Sequence, residues 1–225
     1  MSLIIKKYCS ISNNRISLDG SAIFSDEGQD TYKKFIRAAY RNFNTDYPKF
    51  FKMDPLSKLG FLSVEVLLKD ENISNKYTPD KIGLIFTNAS SSLEVDEKHQ
   101  DTIRDRENYF PSPSNFVYTL PNIMAGEAAI RHGLRGENTV LITPEFDAEL
   151  IFNITRMAFK TESIDCCICG WVEQYENKYE SLLFLVERSE GDEEGKISSE
   201  DVIFEPSILL ETYKREHNGR INSKA

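Results

Sequence analysis

The chain has 225 residues, 40% hydrophobic and 28% charged, the profile of a globular protein long enough to bury a substantial core. Lys and Arg total 27 against 36 Asp and Glu, a formal charge of −9, which argues against a nucleic-acid binder or a partner of anionic membranes. The longest apolar runs, residues 82–86 and 182–186, are strand-length, far short of the ~20 residues of a membrane span, and residues 1–6 carry no long apolar leader. The expectation is one cytoplasmic domain over residues 1–225.

In chain order, residues 3–9 alternate as a strand, and Asn13-Asn14 signals a turn. Residues 28–44 predict a helix, with Tyr32, Phe35, Ile36, Ala39, Tyr40 and Phe43 at steps of three and four. A second helix has a clear start: Asp54 suits the N-cap, Pro55 the first helical position, and Leu56, Leu59, Leu62, Val66 and Leu67 form a stripe. Residues 82–87 are continuously apolar, as in a strand buried on both faces. A loop at 88–92 and a polar helix over 93–108 follow, then a Pro/Ser loop at 110–115. Residues 116–130 read as helical from Pro121, closed near His132-Gly133. Residues 138–143 predict a strand. Thr143-Pro144 reads as the cap and first turn of a helix running to about Lys160. Residues 165–172 and 181–187 predict an antiparallel pair turning at 174–178. Residues 189–201 are acidic and read as an exposed loop, and 214–225 as a fraying tail. Strands alternating with helices, closed by two strands, predict an α/β fold with a mixed, mostly parallel five-stranded sheet and helices on both faces.

Three groups of residues could carry chemistry. Cys166, Cys167 and Cys169 crowd one strand while Cys9 stands alone. No CxxC or second ligand pair accompanies them, and His99 and His132 are isolated, so buried small hydrophobes are favoured over a metal site and no cofactor is expected. Ser90, Ser91 and Ser92 follow a strand, where ligands gather in α/β sheets. No GxSxG surrounds them, and turn and cap roles outweigh a nucleophilic one. The segment 138–147 delivers a strand to a helix N-terminus, with Glu145 and Asp147 expected in the first turn. Charge complementarity with the helix dipole accounts for both; a replaced nucleophile is the functional alternative.

Across about residues 51–172 the chain resembles the N-terminal half of the β-ketoacyl synthases of the thiolase-like fold. Phe51-Lys52-Met53-Asp54-Pro55-Leu56-Ser57-Lys58-Leu59 is similar to their RMD-x-x-S/T-x-L helix opening. Ile82-Gly83-Leu84-Ile85-Phe86-Thr87-Asn88 is similar to their VGVVxGT strand. Leu120-Pro121-Asn122-Ile123-Met124-Ala125-Gly126 followed by Ile130-Arg131-His132-Gly133-Leu134-Arg135-Gly136-Glu137-Asn138 resembles LPNxxAGxxSIRxGLxGPN. Asp165-Cys166-Cys167-Ile168-Cys169-Gly170 resembles the ADxxLAGG strand, whose small-residue positions suit the cysteines. Active members follow the 138–143 strand with TACxS, whose cysteine attacks the acyl thioester. Here Thr143-Pro144-Glu145-Phe146 stands there, with Glu145 at the cysteine position.

The resemblance implies a single thiolase-like half without the nucleophile. It also implies the absence of the C-terminal half that supplies the family's two further catalytic residues; His217 lacks the matching motif. The expected function is that of a catalytically inactive, ketosynthase-like partner subunit in fatty-acid or polyketide-type synthesis, in an aryl-polyene or flexirubin-type setting. Two alternatives accompany it: decarboxylase or condensing activity within a heteromer using Glu145, and an acyl-carrier-protein docking module with Arg131, Arg135, Arg156 and Lys160 as a basic patch. The partner would be a second copy or a full-length ketosynthase. Its contact residues are expected at Thr139, Leu141, Leu150, Ile151, Ile154 and Met157. Phe116, Leu120, Pro121, Asn122 and Met124 are expected to border an acyl channel.

Overall fold

The structure is a computed structural model describing residues 2–189 and 202–218. The expectations for 189–201 and 214–225 therefore fall, past Ser189 and Asn218, outside the described residues. The chain opens with an antiparallel meander, β1 (Leu3–Ser12), β2 (Arg15–Leu18) and β3 (Ser21–Ser25). Two-residue turns make it possible: Asn13 and Asn14 both have positive φ, as do Asp19 and Gly20. Asn, Asp and Gly tolerate that left-handed backbone, which matches strand twist. Helix α1 (Tyr32–Asn42) starts later than expected, after Thr31, and buries Tyr32, Phe35, Ile36, Ala39 and Tyr40. A 3₁₀ turn at Pro48–Lys52 leads into α2 (Pro55–Leu67), where the Asp54 carboxylate accepts from the Leu56 and Ser57 amides. The short α3 (Ile73–Lys76) precedes β4 (Ile82–Asn88), buried at every position.

Helix α4 (Leu93–Ile103) ends five residues before the expected boundary. Part of the expected Pro/Ser loop is helical, α5 (Pro113–Val117), started by Ser112 capping the Asn115 amide. Helix α6 (Ile123–His132) ends on Gly133, whose φ of 68° stops it. Then come β5 (Asn138–Ile142), α7 (Ala148–Lys160), β6 (Cys166–Tyr175), β7 (Lys178–Arg188), β8 (Val202–Ile203) and α8 (Pro206–Asn218).

The sheet is mixed, as expected, but neither five-stranded nor mostly parallel. Among the described residues eight strands form the sheet, in the order β3-β2-β1-β7-β6-β4-β5, with β8 beside β1. Among the described residues only β4–β5 and β4–β6 pair in parallel; β1–β2, β1–β7, β1–β8, β2–β3 and β6–β7 are antiparallel. The added strands β2, β3 and β8 are short and partly polar, so they carry no clear period. Alternate residues of the central strands feed two cores. Cys166, Ile168, Leu84, Phe86, Leu183 and Leu185 join the residues of α1, α2 and α6. Cys167, Cys169, Ile85, Leu182, Phe184 and Val186 join those of α7 and α8 on the other face. All four cysteines are buried in β1 and β6, and burial pushes the thiols of Cys9, Cys166 and Cys167 up.

Candidate functional site

The carboxyl ends of β4, β5 and β6 meet at one point of the sheet. There the Glu173 carboxylate of β6 accepts from the amides of Ala89 and Ser90, at 2.7 and 3.1 Å, fixing the loop after β4. Ser92 Oγ lies 2.8 Å from the Thr119 carbonyl and 3.1 Å from Asp96. These serines thus serve the turn, the role the sequence favoured for them, and no histidine side chain bonds to them among the described hydrogen bonds. Asn88 ends β4 fully buried, its amide unbonded among the described residues.

The chain then crosses from β5 to α7. The Thr143 amide donates to the Asn88 carbonyl, 2.8 Å, and Thr143 Oγ1 donates to the Glu145 carbonyl, 2.9 Å. Helix α7 does not begin at Thr143-Pro144. Its cap is Asp147, whose carboxylate accepts from the Leu150 amide at 2.9 Å. Glu145 therefore sits in the loop before the helix, exposed, and not in the first turn. Phe146 decides this: it turns inward to stack on Tyr213 of α8, with ring centroids 4.2 Å apart and planes 2° apart. Tyr213 donates to Glu180 of β7 at 2.7 Å, and the Trp171 indole donates to the same oxygen at 2.8 Å. Helix α8, of which only the part from Lys214 was expected as tail, closes over the segment: Pro206, Ser207 and Leu210 share a cleft with Pro144, Glu145, Phe146, Asp147, Ala148 and Glu149. Burial pushes the Tyr213 hydroxyl up, and its bond to Glu180 adds to this.

The expected contact residues divide by exposure. Thr139 and Leu141 are half-buried on β5, which is an edge strand, and Ile142 beside them is 52% exposed. On α7, Leu150 and Ile154 are half-buried and Met157 is 60% exposed. Ile151 is fully buried in the core below, so its expected place on a contact surface is corrected. Of the channel candidates, Phe116 and Leu120 are 61% and 55% exposed, Asn122 is exposed and Pro121 half-buried. Met124 is corrected likewise: it is buried against Gly60, where a Cβ would meet its side chain at 2.5 Å. The expected basic patch is divided. Arg131 lies on α6, bonded to Glu65 at 2.7 Å, whereas Arg156 and Lys160 lie on α7 across the sheet. A different basic group, Lys33, Arg37, Lys58 and Lys98, surrounds one cleft between α1, α2 and α4. The one-turn spacing of Lys33 and Arg37 was the available sequence signal. Among the described residues, no helix is long and apolar enough to cross a membrane and no His/Cys/Asp/Glu group could hold a metal ion.

No curated protein matches the chain by sequence. Among solved structures, it is similar to one described as "The ishigamide ketosynthase/chain length factor", with TM-score 0.59 and 16% identity over 84% of this chain and 63% of that one. It is similar to "AntDE:AntF (apo): type II PKS acyl-carrier protein in complex with its ketosynthase bound to the hexaketide", with TM-score 0.53 and 14% identity over 86% of this chain and 65% of that one. It is also similar to "Ketosynthase (ApeO) in Complex with its Chain Length Factor (ApeC) from Xenorhabdus doucetiae", with TM-score 0.57 and 12% identity over 84% of this chain and 80% of that one. The chain spans less than two thirds of the length of the first two, and at these identities the likeness is one of fold. The family described as "Beta-ketoacyl synthase, N-terminal domain" matches residues 22–188, from β3 to the end of β7. The chain therefore belongs to the β-ketoacyl synthase family, through its N-terminal domain.

Proposed function

We propose that this chain is a non-condensing member of its family, a ketosynthase-like subunit that works as a partner in fatty-acid or polyketide-type synthesis. The observation that carries the reading is the β5–α7 crossing. A condensing enzyme of the kind the chain resembles needs a thiolate at the start of that helix, where amides and the helix dipole favour the anion. The crossing holds Glu145 on an exposed loop, and all four cysteines are buried in strands β1 and β6. An exposed carboxylate is a poor acyl carrier, and no histidine lines the cleft around it.

The edge strand β5 and the adjacent α7 support the partner role. Thr139, Leu141, Leu150, Ile154 and Met157, joined by Ile142, offer an edge whose outer backbone groups pair with no strand among the described residues, flanked by apolar side chains. Proteins seldom leave such an edge open, and strand addition would close it. The occupant on this reading is a second copy or a full-length ketosynthase; the neighbouring structures, described as ketosynthase complexes with chain length factor or carrier protein, support that class. The aryl-polyene or flexirubin-type setting and a cytoplasmic location belong to the same proposal.

Light scattering of the purified chain, alone and mixed with a ketosynthase, tests the association. The expected result is a dimer or a one-to-one complex, with affinity falling at least tenfold in Ile142→Asp and Ile154→Asp. A monomer that binds neither partner overturns the reading. The chemical half is tested by malonyl-carrier decarboxylation in the complex. Glu145→Ala is expected to leave the rate unchanged, and a large loss would favour a general-base role.

A further inference from the structure

The basic cleft between α1, α2 and α4 is independent of the β5–α7 crossing and is unused by the proposed function. It measures about 580 Å³ and is lined by Tyr32, Lys33, Ile36, Arg37, Pro55 and Lys58, with Glu94 and Lys98 of α4 and Glu176 and Asn177 of the β6–β7 turn. Four cations from three helices meet there in a chain of net charge −9. Among the described residues, neither Lys33 nor Arg37 has a carboxylate within ion-pair distance, and Lys58 donates to the Met53 carbonyl. The nearest acids answer only part of this charge. Glu94 accepts from Lys98 through one oxygen and from Gln174 and the Glu176 amide through the other. Asp54 caps α2.

Only Lys98 of the four has a carboxylate at ion-pair distance among the described residues, Glu94, so the mutual repulsion of Lys33, Arg37 and Lys58 costs free energy that a bound anion would offset. The Lys58 amine is pushed down to about 8. Burial is the first cause, Asp54 opposes it, and Arg37, Lys33 and Lys98 add to it. A carboxylate would bring one charge. A phosphate monoester brings close to two, with oxygens that match the arginine fork and the lysine ammoniums. The volume exceeds what a bare phosphate fills, and Tyr32, Ile36 and Pro55 supply an apolar wall. Four cations confined to one cleft are too few and too local for a nucleic-acid track.

We propose that the cleft between α1, α2 and α4 is a binding site for a small organic phosphate, with the phosphate held by Lys33, Arg37, Lys58 and Lys98 and the organic part against Tyr32, Ile36 and Pro55.

Titration of the intact protein with phenyl phosphate, followed by calorimetry and amide NMR, is the test. Saturable binding is expected, with shifts centred on α1 and the start of α2, and at least tenfold tighter than for inorganic phosphate. Lys33→Gln with Arg37→Gln, both exposed and so compatible with folding, is expected to weaken binding at least tenfold. Lys34→Gln, on the same helix but outside the cleft, is expected to leave it unchanged. Above pH 7 the phosphate is already a dianion, so affinity is expected to fall between pH 7 and 9 as Lys58 loses its proton. Lys58→Arg, which keeps its charge, should flatten that fall. The other charged groups facing Lys58 are Arg37, Lys33, Lys98, Asp54, Glu94 and Glu176. No saturable binding, binding indifferent to the double variant, or inorganic phosphate binding as tightly as the ester would overturn the proposal.

Discussion

Gly170 shows how a single residue can be fixed by the space around it. It lies in β6 with φ of +148°, and a Cβ built there would stand 2.1 Å from the Leu182 carbonyl of β7. Gly170→Ala combines backbone strain with a clash against a backbone that cannot move aside, and is expected to cost about 3–5 kcal/mol in chemical denaturation. Glu65 on α2 is governed by charge instead. Burial raises its carboxyl, but hydrogen bonds and charge from His132 and Arg131 outweigh that and bring it below the usual range. A lowered folded value stabilises the protein fully above the ordinary carboxylate range, about pH 4.3, and the contribution fades as pH falls through the folded value. Glu65→Gln is expected to lose about 1–2 kcal/mol at pH 7, with the gap to wild type closing below about pH 4. At this scale the sequence was readable where one residue type has one use. Asp54-Pro55 suits the start of a helix, and cysteines crowded into an apolar strand with no second ligand pair favoured packing over metal binding. The start of α7 was ambiguous because Thr143-Pro144 and Asp147 both satisfy the local rules. The contact that decides between them, Phe146 on Tyr213, joins segments far apart in the chain.

Among the elements, α8 changes the picture most. Ile208, Leu209, Thr212 and Tyr213 form its inner side, against α7, β1 and the second core, and Glu216 reaches Ser10 at 2.8 Å. The expected contact surface on α7 is therefore reduced to the residues that α8 and the core leave open. Phe152 already meets Phe204 just before α8, while Leu150, Ile154 and Met157 remain partly open. Leu209→Ala is expected to destabilise by about 2–4 kcal/mol and to raise binding of a hydrophobic dye. A substitution at Ile142 should instead change association with little effect on folding. Residues 206–213 were left unassigned and 214–218 read as tail because the apolar pairs of this helix sit among charged residues behind an acidic stretch. Helices α2 and α6 were legible because a capping Asp-Pro and a terminal Gly bracket apolar stripes.

On the scale of the whole molecule, alternating strand and helix patterns were enough for the α/β class but not for strand order. Residues 82–87 and 165–172 show that these strands are buried on both faces; nothing in them says which strand lies beside which. The order β3-β2-β1-β7-β6-β4-β5 places the first strand next to one of the last, with Leu3 opposite Arg188 and Ser12 opposite Glu180. That adjacency has a consequence for synthesis. The meander β1–β3 can close as soon as it leaves the ribosome, but the middle of the sheet has to wait for residues 178–188. At about 5–20 residues per second the wait is on the order of ten seconds or more, with the edge of β1 that faces β7 unpaired until then. Such long-range pairing places the chain among slow folders, and it makes the nascent protein, more than the finished one, a client for chaperones.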